Sequence, residues 1–435
     1  MLRALYRALW WIVAPLAVVR LFVRSRHERG YREHIGERFG RTPGRPVDDR
    51  APLIWVHAVS VGETRAAEPL IEALMRARPD ARLLVTHMTP SGRATGERLF
   101  GSRVERCYLP YDMPHTVRRF LRAWRPALGI VMETEVWPTL IDECRRADVP
   151  LVLANARMSA RSYRRAARFG RGTREVFGGF SRVLAQSPAD AERLTALGAR
   201  HVAVLGNLKF DMATPPELAA RGRAWRAAIG TRPVWVAAST REGEEGLILD
   251  ALAAQATKDT LLVLVPRHPQ RFEEVAALVE RRGLRLARRT QWGGEAKAAA
   301  AVGPGDIAAL PADVTVLLGD SMGELGAYYA AADVAFIGGS LLPLGGQNLI
   351  EACAVGVPVL IGPHVFNFAQ ATADAVAAGA ALQVSDPADL ARVLDELFSD
   401  RVRRITMGAA ASAFAARHRG TTQRTVEVLM ALMEG

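Results

Sequence analysis

The sequence is poor in cysteine and in lysine. Three cysteines, Cys107, Cys144 and Cys353, stand far apart and form no C-x-x-C pair. That excludes a disulfide framework and a zinc cluster of the usual spacing, and fits a reducing compartment. Lysine occurs only at 209, 258 and 297, so the formal net charge of +12 is carried almost wholly by arginine. There is no H-E-x-x-H, no D-x-D pair and no Walker-type lysine loop, so no metal and no other cofactor is expected. No basic run alternates with aromatics as a single-strand nucleic-acid groove requires. Helix-turn-helix and zinc-finger patterns are also missing, and nucleic acid is not an expected partner. Tandem repeats and long low-complexity tracts are absent.

The chain has 435 residues, too many for one ordinary core, so two domains are expected. Hydrophobic content of 49% and charged content of 23% are usual for an α/β protein. The positive balance suits an anionic membrane face or a phosphorylated substrate. Residues 1–26 hold the most apolar N-terminal run, Leu2 to Val23, with Arg3 and Arg7 at one end and Arg20, Arg24 and Arg26 at the other. As a helix, about 20 residues cover roughly 30 Å, enough to cross a bilayer. Pro15 and the paired Trp10 and Trp11 equally fit a helix lying in the interface. No small-residue site follows, which argues against a cleaved signal. The expectation is a membrane anchor, with packing on the body as the plain structural alternative. Residues 24–50 read as a polar connector.

From residue 53 a regular alternation begins. Apolar runs at 53–56, 83–86, 128–132, 151–154, 183–185 and 202–205 read as buried strands, with helical spacing between them. After a Met-Ala-Thr-Pro-Pro linker at 212–216, a second set follows at 234–238, 261–265, 314–318, 334–337, 357–361 and 381–384. Such alternation predicts parallel, doubly wound sheets. The expected layout is an α/β chain of two Rossmann-like domains, 27–211 and 212–400, facing a cleft. One long helix in 401–435 is expected to return to the first domain. The Ala/Gly-rich stretch 287–305 is predicted to be a loop.

Open α/β sheets bind ligands beyond the carboxyl ends of their strands, and that is where the polar residues gather. Glu63 follows the first run in Ser-Val-Gly-Glu. Its plain reading is a first-turn Glu favoured by the helix dipole. Its chemical reading is a general base, ionised at neutral pH if its pKa is the ordinary one. Glu133 and Glu135 follow the third run, and in an extended chain they point to opposite faces. One is expected at the ligand, the other to fasten the loop. Arg157 follows the fourth run and either meets an anion or pairs with that loop. Lys209 ends the first domain, where a compact ammonium suits a single developing charge.

In the second half, Arg267 and His268 sit between prolines, a pair fit to clamp phosphate. Gly319–Glu351 carries Met322-Gly323-Glu324, then the Gly pairs 338–339 and 345–346, then Asn348-Leu349-Ile350-Glu351. Two Gly pairs let backbone N–H groups approach a ligand. Asn348 and Glu351 also have capping-box spacing, which alone would make them structural. Glu324 and Glu351, read as free carboxylates, suit sugar hydroxyls better than phosphate.

These motifs, taken nearly end to end, resemble the Kdo transferases of lipopolysaccharide synthesis. Those are membrane-associated, metal-independent GT-B glycosyltransferases that move 3-deoxy-D-manno-octulosonic acid from CMP-Kdo to the lipid A precursor lipid IVA. The resemblance implies an inverting transferase at the cytoplasmic face of an inner membrane. It implies Glu63 as general base, with Glu133 and Lys209 as transition-state stabilisers. It implies CMP contacts from Arg267, His268, Met322, Gly323, Glu324, Asn348, Leu349, Ile350 and Glu351. One position departs: Gln347 stands where the family usually has His, so it hydrogen-bonds but carries no proton charge. Two other readings compete. One is a different GT-B glycosyltransferase or epimerase using a UDP-sugar. The other is a non-catalytic, membrane-anchored anion-binding protein, which leaves the ordered strand-end carboxylates unexplained.

Overall fold

The computed structural model describes residues 2–26, 28–46, 49–211, 215–292 and 307–434. The chain forms two compact units, Met1–Met212 with Arg419–Gly435, and Ala213–His418. The first unit is built on strands β1 (Leu53–His57), β2 (Arg82–His87), β3 (Glu105–Tyr108), β4 (Leu128–Met132), β5 (Leu151–Ala156), β6 (Arg182–Ala185) and β7 (Val202–Val204). They pair in the order β3-β2-β1-β4-β5-β6-β7, and every pairing is parallel. The chain starts at β1, winds outward to β3, then returns to β4 on the other flank. The crevice between β1 and β4 is therefore the topological switch point.

The second unit repeats the plan with β8 (Val234–Thr240), β9 (Leu261–Pro266), β10 (Leu286–Arg288), β11 (Val316–Leu318), β12 (Val334–Ile337), β13 (Val359–Ile361) and β14 (Ala381–Gln383). Their order is β10-β11-β9-β8-β12-β13-β14, again all parallel. Its switch point lies between β8 and β12.

Helices cover both faces of each sheet, so central strands are apolar throughout. All five residues of β1 are buried. Trp55 lies against Phe120, its indole donating to Thr86 Oγ1 at 2.8 Å. It needs Gly129 beside it on β4, because a Cβ there would come within 3.0 Å of the Trp55 ring. Strands β3 and β10 were not anticipated. Both are short sheet edges with charged residues where a buried strand has Val or Leu, and those charges pair at the rim: Glu105 with Arg82, and Arg288 with Glu273 at 2.6 Å.

Three expectations for the ends and connections need correction. The 24–50 connector packs on the first unit: buried Arg38 lies over the Tyr108 ring at 4.0 Å, and Glu37 accepts from Tyr108 N at 2.8 Å. The C-terminal segment is two helices, Arg401–Arg417 in the second unit and Thr421–Glu434 in the first. Between them Gly420 has φ 84°, a left-handed value that ends a helix. The Leu2–Arg24 helix packs one side on the first unit through Tyr6 to Asp112 (2.8 Å), Trp10 stacked on Tyr111, and buried Ala14 and Leu21. Among the described residues no helix is long and apolar enough to cross a membrane, so a spanning anchor is not supported. Residues 212–214 of the linker, and 293–305 of the Ala/Gly-rich stretch, lie outside the described residues.

His57 and His87, at the ends of β1 and β2, are fully buried, and Nε2 of each has no hydrogen-bond partner among the described residues. Burial, then the neighbouring His87, pushes His57 down to about 3; burial likewise pushes His87 down to about 4, with Arg93 and Arg106 adding to it. In the unfolded chain both take up protons below about pH 6.5. In the folded chain they do not until the lower values are reached. Stability is therefore full above about 6.5 and falls with acid at up to ~1.4 kcal/mol per pH unit per histidine. Between pH 7 and pH 5 the two histidines should together cost a few kcal/mol in urea unfolding, offset in part by Glu63, and His57→Asn should remove about half of the histidine contribution.

Candidate active site

The first unit gathers its site at the β1/β4 switch point. Glu63 is in the first turn of the Val61–Ala77 helix, just past β1. Its Oε2 accepts from Val59 N at 2.8 Å, so the plain capping role is partly real. Oε1 has no partner among the described residues. The carboxyl is pushed up to about 8, first by burial, then by Glu133 and Glu135, against the pull of the Val59 amide and of Lys209. Full ionisation at neutral pH, expected of an ordinary glutamate, is overturned by burial among two other carboxylates.

Glu133 follows β4 directly with φ 57°, a left-handed conformation that a non-glycine residue adopts at a cost of about 1–2 kcal/mol. Its amide donates to Ala154 O at 2.9 Å, its carbonyl accepts from Arg157 N at 3.4 Å, and Lys209 Nζ reaches Oε1 at 3.0 Å. Lys209 and Glu133 are each about one-fifth exposed, so the pair is open to a ligand on one side. Glu135 accepts from the Trp137 indole at 3.0 Å, which fastens the loop. Lys209 is set by Asn155: at φ 51° in a bulge near the end of β5, its Oδ1 accepts from Leu208 N at 3.1 Å. Asn155 is the residue here that sequence reasoning gave no role. Its signal was a polar amide closing an apolar run, where a bulge re-aims side chains.

The second unit places Arg267 and His268 after β9, Met322–Glu324 after β11, and Asn348–Glu351 in the segment after β12. These strands belong to one parallel sheet, so the three segments share its carboxyl edge. Arg267 and His268 are exposed. Burial of the ring, then Arg241, Arg267 and Arg271, lowers the His268 pKa, leaving it a neutral hydrogen-bonding group beside three guanidiniums. Met322 is exposed and Gly323 has φ 84°.

Other expected contacts are spoken for. Glu324 is no free carboxylate: it is buried, ion-paired to Arg221 at 2.6 Å and Arg289 at 2.9 Å, and bonded to Ser321. Glu351 accepts from Asn348 Nδ2 at 2.9 Å, and Asn348 Oδ1 accepts from Ile350 N at 3.1 Å. The capping interpretation therefore accounts for that pair, with the helix starting at Ile350 rather than Leu349. Leu349 and Ile350 side chains are buried, leaving only their backbone to a ligand.

The first Gly pair also behaves otherwise than expected. Buried Glu244 accepts from Gly339 N (2.5 Å), Ser340 N (2.9 Å) and Leu341 N (3.0 Å). An internal carboxylate thus occupies the anion nest expected to receive a ligand. Gly338 is required for close approach, because a Cβ there would meet Thr240 Cα at 2.7 Å. Glu244 was missed because a first-turn Glu on a helix looks like dipole complementation, and its partners lie 95–97 residues away.

Residues 33–212 match the family described as 3-deoxy-D-manno-octulosonic-acid transferase (kdotransferase), and 306–414 match glycosyl transferases group 1. A 3-deoxy-D-manno-octulosonic acid transferase of Bordetella pertussis is 46% identical over 96% of this chain and 96% of its own. The chain belongs to the Kdo transferase family. The Haemophilus influenzae Kdo transferase is 35% identical over 100% of this chain and 99% of its own. UDP-GlcNAc 2-epimerase from Neisseria meningitidis shares the fold, with TM-score 0.59 at 13% identity over 87% of this chain and 100% of its own. At that identity the likeness is one of architecture, two parallel-sheet α/β units of the GT-B kind. A Kdo transferase is a glycosyltransferase, so the epimerase reading falls away. Among the described residues no group of three or more His, Cys, Asp or Glu is gathered for a metal ion.

Proposed function

We propose that this Kdo transferase moves Kdo from CMP-Kdo to lipid IVA, with inversion at the anomeric carbon. The observation that carries the reading is the cluster of Glu63, Glu133 and Lys209 at the first unit's switch point. Glu63 takes the proton of the acceptor hydroxyl as the oxygen attacks the anomeric carbon. The bond from that carbon to the phosphate oxygen breaks, and CMP leaves with the bonding electron pair. A carboxyl held near 8 is a stronger base than an ordinary glutamate, yet is still ionised in part at neutral pH. Glu133 faces the positive charge that develops on the sugar ring, and Lys209 holds it in place. Arg267, with the backbone of Met322–Gly323 and of Asn348–Glu351, is assigned to CMP.

Membrane association is proposed through the Leu2–Arg24 helix lying in the interface. Leu9, Trp11, Ile12, Leu16, Val19, Phe22 and Val23 are exposed along it, with Arg20 and Arg24 at its C-terminal end. Apolar groups on a positively charged helix suit an anionic, cytoplasmic-side bilayer surface.

Thermal shift with nucleotides separates donors. CMP should raise the melting temperature and UDP at equal concentration should not. Protection by UDP alone would assign the second unit to a different sugar nucleotide.

A further inference from the structure

The crevice between β8 and β12 contains a cation that none of the motifs includes. Ser239, φ 59°, forms a bulge near the end of β8 where the register shifts between Ala238 and Thr240. The bulge redirects the chain so that Arg241 stands at the carboxyl edge of the strand. The backbone around it is pinned: Arg241 N donates to Glu244 Oε2 at 3.3 Å, and Thr240 O accepts from Arg267 N at 3.0 Å. Its side chain is half-buried, with no hydrogen bond or ion pair among the described residues.

None of the three nearby carboxylates pairs with it; Glu242 is exposed and makes no ion pair among the described residues. Glu244 is taken up by the 339–341 amides, and Glu245 by Thr240 Oγ1 at 2.9 Å and Arg271 at 2.6 Å. A Cβ built on Gly339 would lie 3.4 Å from Arg241 Cγ and 3.2 Å from Gln347 Nε2, so both side chains border the same glycine. Arg267 and His268 stand on the neighbouring strand end. A guanidinium without a counter-ion among the described residues, half out of water at a switch point, is suited to an oxyanion. The amide beside it adds a hydrogen-bond donor but no charge.

We infer that Arg241 grips the phosphate of the donor nucleotide, its fork supplying fixed positive charge where Gln347 carries none. This rests on the CMP-Kdo reading above. The same fork neutralises the phosphate as CMP departs, so it acts on turnover as well as on affinity.

Calorimetric titration of the full chain with CMP and with cytidine tests it. Arg241→Gln should weaken CMP binding by about 10- to 100-fold, the range for losing a charge-assisted pair, and leave cytidine binding within about twofold. Arg241→Lys, which keeps charge without the fork, should fall between wild type and Arg241→Gln. Circular dichroism shows whether each variant is folded. Unchanged CMP affinity in folded Arg241→Gln would overturn the role of Arg241 and leave the donor assignment standing. Equal losses for CMP and cytidine would also overturn it, because the effect would then not come from the phosphate. Wild-type protein that binds no CMP would remove the donor assignment itself.

Discussion

Glu63→Gln is expected to lower kcat by about three orders of magnitude or more, while the folded protein becomes no less stable. General-base removal typically forfeits about 10²–10⁴ in rate, and Gln keeps the shape and an acceptor for Val59 N. The stability half follows from linkage. In the folded state Glu63 holds its proton up to about pH 8, whereas the unfolded chain releases it near 4.5. The folded form binds more protons between those values, so this group makes stability fall as pH rises through that window. Glutamine removes the penalty. After discount for partial exposure, a gain of about 1–2 kcal/mol is expected at pH 8 and essentially none at pH 4. The wild-type kcat/KM should in turn rise close to tenfold per unit below about pH 8 and level off above it. An active, destabilised Glu63→Gln protein would contradict both halves.

Lys209→Met should cost about 10²–10³ in kcat, the usual consequence of deleting one preorganised charge from a transition-state site. A merely structural lysine would not change the pH profile. This one would, because it lowers the proton affinity of Glu63. Without it the alkaline plateau should be reached at higher pH. Lys209→Arg should recover only part of the rate, since a planar fork does not replace a point charge held 3.0 Å from Glu133. The stability cost should stay near ~1 kcal/mol, because the pair is partly solvated. Loss of activity with an unmoved pH profile would show Lys209 acting by some other route.

The parallel sheets were readable because their central strands are buried on both faces and must be apolar. The edge strands β3 and β10 escaped for the converse reason. Glu63 and Glu133 drew attention by their place just beyond strand ends, Lys209 as a rare lysine closing the first domain, and their roles came from the family resemblance. What the sequence could not show was the company each side chain keeps. The pKa of Glu63 depends on Glu133 and Glu135, which come from a different strand end. The engagement of Glu324 depends on Arg221, 103 residues earlier. Glu244 fills the Gly339–Leu341 nest from a helix four strands earlier in sequence. The bulges at Asn155 and Ser239 aim residues through backbone conformations that no residue pattern announces.

The most direct measurement is mass spectrometry of lipid IVA after incubation with CMP-Kdo and the purified chain, with CMP release followed in parallel. The expected result is lipid carrying added Kdo and one CMP released per sugar, both lost in a Glu63→Gln variant that still binds CMP. Unmodified lipid from folded, CMP-binding wild-type protein would contradict the account, as would undiminished Kdo transfer by the Glu63→Gln variant.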